Sequence, residues 1–257
     1  MSVHLAPRRI SPFVVLAAVA EGGRQLRGCL KPAAGLAAIF VLIGLLIFAL
    51  LLWLDLAQMI LPFAGGFLLV GPVVLSGFIA LRRTRAAGLR PGTRQVMVAF
   101  RQAPRGLWVV AGVCALLFLI WISDAATVYS FMIGVGAARE TGQVLRFHAL
   151  TGVMGAVLAF IVFCISAFSV PLLFDRRANL VEAVTASVKA VFTNFGSMLL
   201  WSLVLAVAVI ATILFPPLLL LSLPCLAFAS DLIYLEIFPP DEGLPDTPSL
   251  VQDCHGR

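Results

Sequence analysis

The chain has the length of one or two soluble domains at 257 residues, yet 61% of it is hydrophobic and only 12% is charged. With a mean hydropathy of +1.08, it has room for about six membrane crossings and none for a hidden soluble catalytic domain. The net charge of +6 does not indicate nucleic acid, because the basic residues flank apolar stretches and form no separate basic domain.

The first thirty-odd residues carry Arg8, Arg9, Arg24, Arg27 and Lys31, and the apolar piece among them is short. It lacks a small-residue cleavage site, so a membrane span is expected to target the chain and no signal peptide is. No charge occurs between Lys31 and Asp55, or from Leu56 to Leu81. These runs predict spans at about 33–54 and 59–81, since a helix rising about 1.5 Å per residue crosses a core about 30 Å thick in roughly 20 residues. Further spans are predicted at about 106–128 and 149–174. The uncharged run from Ala190 to Ser230 would be about 60 Å long as one helix, too long for one crossing. Pro216-Pro217 divides it, because proline removes a donor and clashes with the preceding turn. That gives spans at about 197–215 and 218–238. Residues 1–240 then form a single transmembrane domain, and 241–257 an acidic, disordered cytoplasmic tail.

Lysine and arginine set the orientation. The loop after the second span holds Arg82, Arg83, Arg85, Arg90, Arg94, Arg101 and Arg105 with no acid. Alternating the spans leaves only Arg139 and Arg146 on the other side. Both termini and the basic loop are therefore expected in the cytoplasm.

Short amphipathic stretches precede each pair of spans. In 93–103, Val96, Ala99, Phe100 and Ala103 share one helical face, and Arg94, Arg101 and Arg105 the other. In 179–192, Leu180, Val184, Val188 and Val191 oppose Glu182, Thr185 and Lys189. Before the first span, Phe13, Leu16 and Ala20 lead into a basic run. AFRQAPRGLW at 99–108 and AVFTNFGSMLLW at 190–201 are alike, each closing such a helix and reaching a Trp early in a span. The second span of each pair carries a proline, Pro72, Pro171 or Pro224. The fold class expected is all-α: a polytopic bundle of six transmembrane helices plus three short cytoplasmic interfacial helices, arranged as a candidate threefold internal repeat.

GFLLVGP at 66–72, Arg82-Arg83, SVPLLFDR at 169–176 and FGSMLLW at 195–201 resemble an uncharacterised family of bacterial six-span integral inner-membrane proteins. Arg8-Arg9-Ile10 and Gly23-Arg24-Gln25-Leu26-Arg27 are similar as well. The resemblance implies a multi-pass inner-membrane protein without an assigned activity, although some members are labelled as a cytochrome c oxidase subunit. The family's first amphipathic helix usually has a Trp where Gly22-Gly23 stand here. Its last span usually ends in a His- and Arg-bearing stretch, in place of residues 230–236. Haem-copper catalysis needs several intramembrane His ligands. The chain has His4, His148 and His255, and none can pair with another inside the membrane. A catalytic oxidase subunit is excluded, and an accessory subunit is not.

Cys29, Cys114, Cys164, Cys225 and Cys254 fall singly, with no CxxC pair, so core packing is expected and no metal or cofactor. Gly134-Val135-Gly136 lacks the third glycine of a dinucleotide loop, and HExxH, P-loop and GxSxG patterns are absent. The candidate polar site is Asp231, with Ser230 beside it and Tyr234 one turn on. An intramembrane acid can be a proton or cation site. The preferred alternative is an interhelical hydrogen bond or a pair with Arg176, Arg177 or Arg82. Arg82, Arg83, Arg94, Arg101 and Arg105 are candidate contacts for anionic lipid, although topology alone accounts for them. Asp124, flanked by Trp121 and Tyr129, is expected at the outer interface. The function expected is a non-enzymatic accessory or scaffold protein, with the bilayer and another membrane complex as partners. The alternative is a small-solute or ion transporter or channel.

Overall fold

The computed structural model describes residues 6–67, 72–132 and 141–239, and every regular element among them is helical. In chain order these are α1 (Pro12–Leu26), α2 (Leu30–Trp53), α3 (Ile60–Phe67), α4 (Pro72–Ala86), α5 (Thr93–Arg101) and α6 (Arg105–Met132). Then follow α7 (Thr141–Ser166), α8 (Ser169–Phe174), α9 (Leu180–Thr193), α10 (Phe195–Leu214) and α11 (Leu219–Ile237). The tail, the Gly134–Gly136 stretch, His4, His255 and Cys254 lie outside the described residues.

Five helical stretches are long and apolar enough to cross a membrane: Leu30–Trp53, Arg105–Met132, Gly142–Phe174, Phe195–Leu214 and Pro216–Ile237. The crossing expected at 59–81 is not among these five. Its sequence is divided between α3 and α4, and residues 68–71 lie outside the described residues.

The helices end by recognisable chemistry. Three of them close in a Schellman turn, in which the residue just past the helix is left-handed and two backbone N–H groups fold back onto its last carbonyls. Asp55 (φ 57°) ends α2, Gly88 (φ 75°) ends α4 and Arg176 (φ 53°) ends α8. At α8 the Arg177 N–H donates to Leu172 O at 3.1 Å and the Arg176 N–H to Leu173 O at 3.0 Å. Pro216-Pro217 starts a 3-10 turn between α10 and α11. A capping box starts α9: the Asn179 side chain accepts from the Glu182 N–H, and Glu182 accepts from the Asn179 N–H.

The break between α7 and α8 has a cause that composition does not reveal. In a continuous helix the Phe168 N–H would donate to the Cys164 carbonyl. Here the Ser187 hydroxyl, on α9, accepts from the Phe168 N–H at 3.1 Å and donates to Cys164 O at 2.8 Å. A side chain inserted in the ladder bends the helix while leaving both groups satisfied. Pro171 adds to the break, since it has no N–H to give the Ala167 carbonyl.

The three amphipathic segments fold as α1, α5 and α9. The apolar faces of α5 and α9 lie on protein: Val96 and Phe100 pack with Leu36 of α2 beside Gly77 of α4, and Ala183, Ala186 and Val191 join the main core. On α1 the expected face of Phe13, Leu16 and Ala20 is exposed, and Val15, Ala18, Gly22 and Leu26 are buried instead. Arg94, Arg101 and Arg105 are exposed. The two Trp residues that made the junctions look alike differ in surroundings, Trp108 being 55% exposed and Trp201 3%.

The closest helix pairing is α1 along α11. A Cβ on Gly22 would stand 2.8 Å from Cys225 O and 3.0 Å from the Ala229 backbone nitrogen. The two backbones approach within a distance that only glycine permits.

The placement of Trp121 and Tyr129 corrects the expectation of an aromatic belt. With Ala125 they form the buried stripe of α6, because residues four apart share a helix face. The Trp121 indole donates to Pro62 O at 3.0 Å, and Tyr129 meets Phe147 edge-on at 5.8 Å. Asp124, off that stripe, is exposed.

Candidate functional site

An acid in an apolar helix needs partners, because an unpaired buried charge is prohibitively costly. Asp231 is fully buried in the last two turns of α11. Its partners come from Arg82 and Arg83, in the last turns of α4. Arg82 donates from Nε and Nη2 to Asp231 Oδ2. Arg83 donates from Nη2 to Oδ1 at 2.8 Å and from Nε to Oδ2 at 3.3 Å. Both carboxylate oxygens are therefore occupied by guanidinium donors, which suit a carboxylate because their N–H groups lie in a planar fork.

A second carboxylate extends the network. The Schellman turn after α8 places Asp175 at the helix end and Arg177 just beyond it. Arg83 Nη1 donates to Asp175 Oδ1, and its Nη2 reaches Oδ2 at 3.3 Å. The Tyr234 hydroxyl, on α11, donates to Asp175 Oδ2 at 2.7 Å. Arg177 donates to the Phe238 carbonyl at 2.8 Å and the Pro239 carbonyl at 2.9 Å, tying off the end of α11. Arg83 also lies over the Phe174 ring, 5.7 Å from its centre, a favourable cation–π placement. α4, α8 and α11 are thus joined through one chain of charges. Arg82 is 6% exposed and Arg83 19%.

Sequence reasoning named some of these residues and missed others. Asp231 and Tyr234 are brought into one network, but through Asp175, since the Tyr234 hydroxyl bonds Asp175 and not Asp231. Ser230 is half-buried and makes no hydrogen bond to the network among the described residues. Arg82 and Arg83, named as candidate lipid contacts, are turned inward to carboxylates. Of the three arginines weighed as partners for Asp231, Arg82 is the one in contact; Arg177 binds carbonyls and Arg176 only approaches Gln102 O at 3.4 Å. Asp175 and the role of Arg83 were missed, because a charge at a span's end reads as ordinary loop polarity.

A second polar clasp lies nearby. Asn194, buried between α9 and α10, accepts from the Ile10 N–H at 2.7 Å and donates to Arg8 O at 3.0 Å. The Ser197 hydroxyl donates to Ile10 O at 2.9 Å, and the Arg8 N–H donates to Ile237 O at 3.0 Å. The segment before α1 is fastened to the start of α10 and the end of α11. Among the described residues, no three His, Cys, Asp or Glu side chains come together in a way that would hold a metal ion.

Residues 60–175 match the model of a family described as "Predicted integral membrane protein (DUF2189)". The match includes Arg82, Arg83 and Asp175 and stops short of Asp231 and Tyr234. No curated protein and no solved structure matches the chain. The family match and the five apolar helices agree on one conclusion: the chain is an integral membrane protein, similar to a family whose description carries no activity.

Proposed function

We propose that this protein is a non-enzymatic scaffold or accessory component of the bacterial inner membrane, docked on another membrane complex; the label attached to the resembling family makes a respiratory complex the first to examine. The observation that carries this reading is the closed state of the polar site. Both oxygens of Asp231 are taken by arginines of the same chain, so its chemistry is directed at holding the bundle. Outward, α2 and α10 present Ile39, Leu42, Leu46, Leu203, Val207 and Ile210, a surface suited to lipid or to another apolar helix.

In this reading α3 and α4 together make a sixth crossing, and both termini face the cytoplasm. The chain is then three copies of an amphipathic helix, a span and a span interrupted by proline, beginning at α1, α5 and α9. Support comes from the order of the elements and from Pro72, Pro171 and Pro224. Single-cysteine labelling should find positions near Arg90 and Asn179 on one side and Thr141 on the other; labelling of the Arg90 and Thr141 sites from the same side would overturn the six-span arrangement.

Purification in a gentle detergent, followed by mass spectrometry, tests the scaffold reading. A stoichiometric membrane partner supports it, and recovery of the protein alone from a native membrane contradicts it. One observation favours a transporter or channel instead: charged side chains bridge three helices at one end of the bundle, as an ionic gate would. Solute flux in proteoliposomes that Asp231→Asn abolishes at normal expression would establish that second reading.

A further inference from the structure

The turn from α1 to α2 is Arg27-Gly28-Cys29, and it faces the last turn of α4. A Cβ on Gly28 would fall 2.1 Å from Cζ, Nε and Nη2 of Arg85. The Arg85 guanidinium therefore lies flat against the glycine backbone, in space that any other residue would fill. Beside it is a cavity of about 170 Å³ lined by Gln25, Cys29, Arg82, Arg85, Ala86 and Phe228. That is room for several waters or one phosphate group.

The charges around this cavity do not balance. Arg82 meets Asp231 through Nε and Nη2, which leaves its Nη1 amino group for another acceptor. Arg85 receives no carboxylate or carbonyl among the described residues, whereas Arg83 has two carboxylates and Arg177 two carbonyls. The neighbouring acid Glu21 is engaged with Arg24 and with the Gln25 amide. Cys29 supplies no anion either. Burial pushes its thiol up, Arg85 opposing, and the thiol points to Gln25 O at 3.6 Å. Phe228, one turn before Asp231, gives the cavity an apolar floor.

We propose that this cavity binds one phosphate group, with Arg85 and the free Nη1 of Arg82 as its donors, where α2 and α4 end their apolar stretches. Paired guanidinium groups match the oxygens of a phosphate and form strong charge-assisted bonds. The phosphate belongs either to the headgroup of an anionic lipid or to a free ion, and the two sources separate in one experiment.

The purified full-length protein in a neutral detergent is titrated with inorganic phosphate against chloride at matched ionic strength. In a second arm it is titrated with phosphatidic acid against phosphatidylcholine in mixed micelles. Binding is read by thermal shift and by native mass spectrometry. Saturable binding in the phosphate arm assigns a free ion, and saturable binding with phosphatidic acid alone assigns a lipid. Arg85→Gln should weaken binding about tenfold or more, as loss of a charge-assisted bond does, and Gly28→Ala should do the same by displacing the guanidinium. Arg90→Gln, in the same basic loop, should leave binding intact. Absence of saturable binding in both arms, or equal loss in Arg85→Gln and Arg90→Gln, overturns the proposal.

Discussion

Where α4, α8 and α11 finish, charged side chains tie three helices together, whereas at the other end α2, α6 and α7 meet through Leu51, Ala125, Tyr129 and Phe147, with Met59 of the turn after α2. Beside that apolar patch lie the hydrogen bonds from Trp121 to the Pro62 carbonyl and from Thr151 to the Phe147 carbonyl. The contrast is one of tolerance. Apolar packing accepts small shifts at modest cost, because dispersion falls off without direction. An ion network fixes register, because each donor must find its acceptor or stand as an uncompensated charge. The arginine-bearing end should therefore define which helices are neighbours, and the opposite end should only fill space.

The largest effect is expected from Asp231→Ala, which leaves Arg82 and Arg83 facing each other without their shared carboxylate. Loss of one partner of a buried pair costs about 3–5 kcal/mol. The apparent Tm in detergent should fall sharply, and the double variant Arg82→Met/Asp231→Leu should recover part of the loss. An Asp231→Ala protein that melts with the parent would remove the basis of the comparison. Next is Ser187→Ala, which strips the Cys164 carbonyl and the Phe168 N–H of their shared partner. A cost of about 1–3 kcal/mol is expected, together with faster hydrogen exchange at the α7–α8 break.

At the apolar end, Trp121→Phe keeps most of the ring and loses the bond to Pro62 O. It should cost about 1 kcal/mol, read in the same melting assay; a loss as large as that of Asp231→Ala would erase the difference between the ends. The smallest change has the opposite sign. Arg176 pays for a left-handed backbone, a strain of about 1–2 kcal/mol for a residue with a Cβ. Arg176→Gly relieves it, but glycine also loses about 0.5–1 kcal/mol through its extra freedom when unfolded. A net gain of about 0–1.5 kcal/mol is expected, seen as an unchanged or slightly raised Tm.

The helices were legible because uncharged runs of this length have few other uses, and α5 and α9 because their charges recur on one face. Pro216-Pro217 announced its own break. Asp231 stood out as an acid in an apolar run, and Arg82 could be named among its partners because both sit near the same end of their spans. Ser187 could not be read, since a serine on an amphipathic helix looks like surface polarity until its neighbour is known. The same holds for Asn194. Trp121 and Tyr129 misled for a related reason: in a membrane helix the lipid face and the protein face are equally apolar, so hydropathy does not distinguish them. Asp175 acquires its role from the left-handed turn that follows it, and no residue in DRR signals that turn.

The pairing of α1 with α11 has a consequence for biosynthesis. The first helix made takes its place against the last. At about 5–20 residues per second, the roughly 200 residues between Gly22 and its contacts at Cys225 and Ala229 take about 10–40 s to emerge. Until then α1 lacks its main dock, and Arg82 waits at the end of α4 for a carboxylate the ribosome has not yet supplied, while Arg83 can already meet Asp175. The bundle is therefore closed by its final helix, and a nascent chain halted before Leu219 would present an amphipathic helix without its main partner and the Arg82 guanidinium without its carboxylate to whatever insertion factor holds it.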